Sequence, residues 1–304
     1  MYDKTDPRSA LAAKSAAAAA PAPARYAPPQ YGRFWQEAPQ IDDAGGRTWL
    51  LRGANFVIAH SEAKAGARFA REAQTDEYVV ILPDAGARLT IEAGGRTEQA
   101  TGPCLVIVPP GASVVATSGE TRLTRLFTTR AADLLALCPN ADAYDAWPQN
   151  IPPFTPWPDP PGGFRIRVYS LNVPAQPGRF GRIFRCTTFM VNFLDAQMGP
   201  RDIHKLSPHH HDDFEQCSLA LDGGFMHHLR WNWTVDMTAW RDDEHQHFPA
   251  PSALVIPPPS IHTSRGLEPG LNQLVDIFCP PRTDFSLQKG WVLNADDYPM
   301  PQTS

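Results

Sequence analysis

Three consecutive histidines, His209-His210-His211, precede Asp212-Asp213-Phe214-Glu215, and farther along Pro257-Pro258-Pro259-Ser260-Ile261 leads into another histidine, His262. An extended backbone sends alternate side chains to one face, so His209 and His211 look one way and His210 the other. Glu215 opens an apolar run, Cys217, Leu219 and Leu221, that ends at the turn Asp222-Gly223-Gly224 and reads as a strand. Three neutral imidazoles and one carboxylate suit Fe(II), Mn(II), Ni(II), Co(II) or Zn(II), and four protein ligands leave positions open on a five- or six-coordinate ion. His209, His211, Glu215 and His262 are therefore the candidate ligands of one divalent transition metal. Histidine clusters also occur on solvated loops. Here, however, nine of the ten histidines lie between His204 and His262, only His60 lies outside, and the strand spacing and distant fourth ligand add to that concentration.

The elements that must position these groups are short strands. Proline, at 32 of 304 residues, is about double its usual ~5% share and disfavours long helices. Apolar runs such as Tyr78–Leu82, Ala87–Ile91, Cys104–Val108 and Leu123–Phe127 alternate with Gly/Pro turns, which points to an all-β barrel or sandwich. The order then recurs. Glu77-Tyr78-Val79-Val80-Ile81-Leu82-Pro83-Asp84 parallels Glu215-Gln216-Cys217-Ser218-Leu219-Ala220-Leu221-Asp222, and Pro103–Gly111 parallels Pro251–Pro259. Laying one half on the other puts Arg71, Ala73, Glu77 and Val114 against His209, His211, Glu215 and His262. A lone Glu77 does not hold a transition metal, so the first half is expected to be metal-free and to serve as scaffold, interface or lid.

His-x-His, three residues, Glu, and a later Pro-rich turn carrying His resemble the two-part metal motif of the cupin superfamily, and the internal repeat resembles a bicupin. The resemblance implies two tandem RmlC-like jelly-roll barrels with a few short helices. The expected layout is a disordered Ala/Pro-rich tail over 1–30, a degenerate cupin over 31–138, a Pro-rich linker over 139–163 and a metal-binding cupin over 164–304. One small helix is expected over Ala131–Leu137. The turns depart from the family pattern: Ile203 stands where a glycine is usual, Pro259 where Gly is usual and Gly266 where Asn is usual.

After Gly223-Gly224 come Phe225-Met226-His227-His228-Leu229-Arg230-Trp231-Asn232. Either His227 with Leu229 and Trp231 faces the barrel interior, or His228 with Arg230 and Asn232; periodicity does not choose. The latter set would supply a proton-transfer group and a carboxylate clamp, making His228 and Arg230 the candidate catalytic residues. Residues Trp240–His247 form a charged insertion that could cover the barrel mouth. A silent first cupin followed by a metal-bearing one resembles the layout of the uronate isomerases (the 4-deoxy-5-ketouronate and 5-deoxyglucuronate isomerases), although four residues, not three, usually separate His-x-His from Glu in those families. That likeness implies ketol-isomerase chemistry on a sugar acid or hydroxy-carbonyl compound. An Fe(II)-dependent dioxygenase and a non-catalytic metabolite-binding cupin are the alternatives.

A net charge of −5 without a basic run gives no footprint for nucleic acid and little for an acidic membrane. No apolar run approaches the ~18 residues of a membrane span. Five cysteines, Cys104, Cys138, Cys186, Cys217 and Cys279, fit buried thiols in a reducing compartment, and a cytoplasmic location is expected. Cys217 shares the face of Glu215 and could border the metal, though a packed thiol is the commoner role. The opening stretch has Ala16–Ala20 and Ala22-Pro23-Ala24, but Asp3 and Asp6 offset Lys4 and Arg8, so a tail is expected rather than a secretion signal. The expected partner is a small-molecule substrate, with association into a homodimer or higher assembly through strand edges.

Overall fold

A computed structural model describes residue 8 and residues 26–302. The first half supplies β1 (Gln30–Gly32), β2 (Ile41–Asp43), β3 (Gly46–Arg52), β4 (Phe56–Ala63), β5 (Arg68–Gln74), β6 (Tyr78–Leu82), β7 (Arg88–Ala93), β8 (Arg96–Thr101), β9 (Cys104–Val108), β10 (Gly111–Thr117), β11 (Thr121–Thr128) and the short helix α1 (Ala132–Leu137). The other half supplies β12 (Arg167–Ser170), β13 (Arg182–Arg185), β14 (Met190–Phe193), β15 (Gln197–Met198), β16 (Gln216–Asp222), β17 (Gly224–Arg230), β18 (Glu244–Pro249), β19 (Ser252–Ile256), β20 (Ile261–Gly266), β21 (Leu271–Phe278) and α2 (Thr283–Ser286). No helix among the described residues is long and apolar enough to cross a membrane. The Pro-rich stretch before β12 carries no strand or helix. The expected tail falls largely outside the described residues, as does the Ala22-Pro23-Ala24 sequence; Gln30 already belongs to β1.

Each half folds a large antiparallel sheet against a small one. The large sheets run β12-β9-β6-β11-β4-β3-β2 and β1-β19-β16-β21-β14-β13, and the small ones β5-β10-β7-β8 and β18-β17-β20. The repeat is thus visible in the order of the strands, although the small sheet has four in the first half and three in the second, and the halves trade an edge: β1 pairs with β19 of the second barrel, β12 with β9 of the first. Tight turns keep the registers. Gly94 and Gly95, both at positive φ, join β7 to β8, a conformation that costs glycine least. Gly223 (φ 83) joins β16 to β17, and a Cβ there would meet Leu271 O at 2.6 Å.

Strand alternation divides the apolar residues between two kinds of core. Leu50, Val57, Val80, Val106, Val115 and Phe127 fill the first barrel. The opposite faces of both large sheets meet in one shared core, where Leu51, Phe56, Ile81 and Ile107 pack with Cys217, Leu219, Val255, Val275 and Ile277. Two buried carboxylates bridge the halves in matching fashion. Glu77 accepts from Tyr298 Oη (2.8 Å) and Thr187 Oγ1 (2.8 Å); Glu215 accepts from Tyr144 Oη (2.5 Å) and Ala54 N (2.7 Å). Within the first barrel Tyr78 stacks on Phe127 at 4.8 Å, and Arg125 lies 4.0 Å over Phe69. Arg71 reaches out of it to form an ion pair with Asp133 on α1 at 2.6 Å.

Candidate metal centre

The second barrel gathers His209, His211 and His262. Their ligand nitrogens all lie within 4.8 Å of one another. His209 and His262 exchange backbone hydrogen bonds, His209 N to His262 O at 3.1 Å and His262 N to His209 O at 2.8 Å, which fixes two of the rings side by side with centroids 4.3 Å apart. His210 points outward, exposed, 3.3 Å from Asp212. The alternation expected from sequence therefore holds for His209, His210 and His211.

Hydrogen bonds on the far side of the rings set the tautomers. His209 Nδ1–H donates to Ser207 O at 2.9 Å and His262 Nδ1–H to Ser260 O at 3.0 Å, leaving Nε2 of each ring as the lone-pair nitrogen. His262 Nε2 is buried and makes no hydrogen bond among the described residues, so its lone pair is available to a metal. Burial is the main cause holding His209 and His211 well below the usual imidazole range and His262 at about 4, with nearby imidazoles and the Arg8 and Arg282 guanidiniums adding to it. Neutral imidazoles are the form a metal takes. The residues present fit a divalent transition ion.

Glu215 does not join them. It shares the face of Cys217, Leu219 and Leu221, as alternation requires, but that face turns to the shared core rather than into the barrel. Its carboxylate is spent on Tyr144 and Ala54, and burial pushes it up to about 7. Cys217 accordingly packs in the shared core and does not border the histidines. The next residue takes the inward place: Gln216 Oε1 lies 3.0 Å from His211 Nε2. Gln216 Nε2 donates to Asp276 Oδ1 at 3.1 Å and Ser218 Oγ at 3.2 Å. A carboxylate oxygen only accepts at that site, so the pairing orients the amide and aims its oxygen at His211. Sequence reading passed over Gln216, Asp276 and Ser218; the usual four-residue spacing between His-x-His and its carboxylate lands on Gln216 and was the available signal.

His228 and Arg230 do not enter the barrel. Apolar burial decides the face of β17: Phe225 and Leu229 go in, and His227 with them. His228 Nδ1 meets His245 Nδ1 at 2.7 Å on the outside, and exposed Arg230 pairs with Asp243. His227 Nδ1 shares a 2.7 Å hydrogen bond with Ser264 Oγ, its Nε2 is buried without a partner, and burial beside His262 pushes it down to about 3. The charged insertion becomes the first part of β18 and the irregular stretch before it.

A cavity of about 560 Å³ opens onto the centre, with Gln216, His209, His262 and Asp276 in its wall. Burial pushes the Asp276 carboxyl up to about 6. The first barrel inverts this chemistry. Asp276 pairs across from Ser218 and Arg125 across from Val80, and in the internal repeat Ser218 and Val80 are equivalent. A cation thus stands in one barrel where an anion stands in the other.

No protein-family model matches the sequence, and no curated protein matches it. Solved structures do match. Oxalate decarboxylase from Lactobacillus farciminis, solved as a formate complex, aligns with a TM-score of 0.54 over 83% of this chain and 86% of its own at 14% identity. AerE from Microcystis aeruginosa aligns with a TM-score of 0.53 over 79% of this chain and 94% of its own at 9% identity. The chain is a bicupin by fold. Identity this low carries the architecture of the two barrels and no more, so the chemistry of this bicupin has to be argued from its own residues.

Proposed function

We propose that this bicupin is a metal-dependent enzyme. Its second barrel holds one divalent transition metal through His209, His211 and His262, with the Gln216 amide oxygen as fourth donor, and acts on a small oxygenated acid by isomerase-type proton transfer. The observation that carries this reading is the convergence of three neutral imidazoles, two of which, His209 and His262, line a cavity that also has the carboxylate of Asp276 in its wall. When bound, the ion supplies Lewis acidity to a carbonyl and its neighbouring hydroxyl. Asp276 is the group placed to take the proton from carbon and return it, and Gln216 and Ser218 hold it in position through Oδ1. With four neutral donors the ion keeps its full charge, which favours an anionic substrate. The first barrel is assigned a scaffold role, and the uronate-isomerase likeness directs the search to sugar acids. A homodimer or higher assembly belongs to the proposal, and sedimentation at the mass of one chain would refute it.

Metal content per chain after anaerobic purification without an affinity-metal step is the test, run beside His262→Ala. One Zn, Mn, Co or Ni per chain, lost in the variant, supports the reading and leads to sugar-acid turnover assays. One iron with substrate-dependent oxygen uptake would replace it with the dioxygenase. A well-folded protein that binds no metal would leave a metabolite-binding module.

A further inference from the structure

The uncommitted buried polar groups inside the first barrel are donors. Arg125 on β11 is 6% exposed and Gln74 on β5 is 3% exposed. Arg125 Nη2 donates to Ser61 Oγ at 3.3 Å, but its Nε–H is buried without an acceptor among the described residues, and so is Gln74 Nε2. The acceptor of that amide is already taken, since Arg71 Nε donates to Gln74 Oε1 at 3.0 Å. Tyr78 Oη and Ser113 Oγ lie 3.0 Å apart; one donates to the other, which leaves one hydroxyl hydrogen free. Both guanidiniums lie over the Phe127 ring, Arg71 at 5.3 Å and Arg125 at 6.0 Å. Arg71 has its counter-charge in Asp133. Arg125 has none among the described residues. Burial pushes its guanidinium down to about 10, so it stays charged at neutral pH, and a buried charge is costly until an opposite charge meets it.

The repeat sets this group where the second barrel has its metal centre. Arg71 is paired with Ser113 across β5 and β10 as His209 is with His262. Tyr78 and Arg125 stand against Gln216 and Asp276. We propose that the interior of the first barrel binds a small carboxylate, with Arg125 as its counter-charge and Gln74, Tyr78 and Ser113 as donors to its oxygens. A single unpaired cation matches a monoanion, and the apolar side chains that fill this barrel, Val80, Val115 and Phe127 among them, suit a short hydrocarbon tail. An open cleft of about 530 Å³ has Arg71 and Ser113 in its wall, so the group meets solvent at that end. The site is independent of the metal-centre reading, and either can fail without the other.

The test titrates the full chain with acetate in a chloride-free zwitterionic buffer, after chelator treatment, and reads heat and melting temperature. Acetamide and chloride are the controls. Acetate is expected to bind at one per chain and to raise the melting temperature, chloride to bind more weakly and acetamide not at all. Arg125→Met is expected to raise the acetate Kd about tenfold or more. Tyr78→Phe, which keeps the ring and removes the hydroxyl, is expected to raise it severalfold and serves where Arg125→Met does not fold. His262→Ala is expected to leave it unchanged. No acetate binding to the wild type, or an unchanged Kd in Arg125→Met or in Tyr78→Phe, overturns the proposal. Loss of acetate binding in His262→Ala moves the anion to the other barrel and overturns it as well. Chloride binding as tight as acetate overturns the carboxylate assignment, and acetamide binding as tight as acetate overturns the role of charge.

Discussion

At Gln216 the barrel offers an amide where a carboxylate would bring a negative charge to the ion. Gln216→Glu is expected to tighten Zn(II) binding by about tenfold or more, and Gln216→Leu to weaken it by a similar factor, both measured by chelator competition. Its neighbour should behave quite differently. Glu215→Gln is expected to leave metal stoichiometry unchanged, because Glu215 holds Tyr144 and Ala54. It should instead change how stability responds to pH. The folded carboxyl stands at about 7 against about 4.3 in an unfolded chain. The fold therefore favours the protonated form: the associated stability is fully present below the unfolded value and is lost as pH rises through about 7. Urea unfolding at pH 5 and pH 8 should show the wild type losing a contribution on the order of a few kcal/mol that Glu215→Gln does not lose. Wild type and variant falling in parallel would refute it. The three clustered histidines were legible in the sequence because alternation and spacing act locally. The fourth position was not, because two adjacent polar residues at a strand start, Glu215 and Gln216, differ only in which sheet face the core claims.

The same choice of face governs whole strands. On β17 alternation separated Phe225, His227 and Leu229 from Met226, His228 and Arg230, but only the rest of the barrel determines which row is inside. His228→Ala and Arg230→Ala, on the outer row, are expected to change stability by less than about 0.5 kcal/mol and to leave metal binding intact. His227→Ala should cost on the order of 1–3 kcal/mol, since it empties a buried site and strands Ser264. Denaturant melts of the three variants decide between the rows. Leu219→Ala, in the core shared by the barrels, is expected to cost about 2–5 kcal/mol while the protein still binds one metal. Central strands such as β6 and β19 were readable as continuous apolar runs, buried on both faces. The partners of β1 and β12 were not, because pairing across the repeat leaves no local mark in either segment.

For the whole molecule, traded edges mean that the barrels are completed by each other. Residues 26–163 lack β12 and residues 164–302 lack β1, so each piece alone should expose a long strand edge and the face of the shared core. Expressed singly, each is expected to be insoluble or only partly folded. Co-expressed, they are expected to associate and to recover the single-chain circular dichroism spectrum. Two independently soluble, monomeric halves would refute this. Arg122 adds to the joint, bridging Asp84 of its own barrel and Asp222 of the other at 2.8 Å and 2.9 Å.

The exchange of β1 and β12 also bears on how a duplicated gene of this kind can change. The two interiors already differ, a cation at Arg125 against an anion at Asp276, while the traded strands close both barrels alike. Deletion is another matter: removing either copy strips an edge strand from the survivor and uncovers its apolar back. Such a gene can lose one copy's chemistry without ever being able to lose the copy.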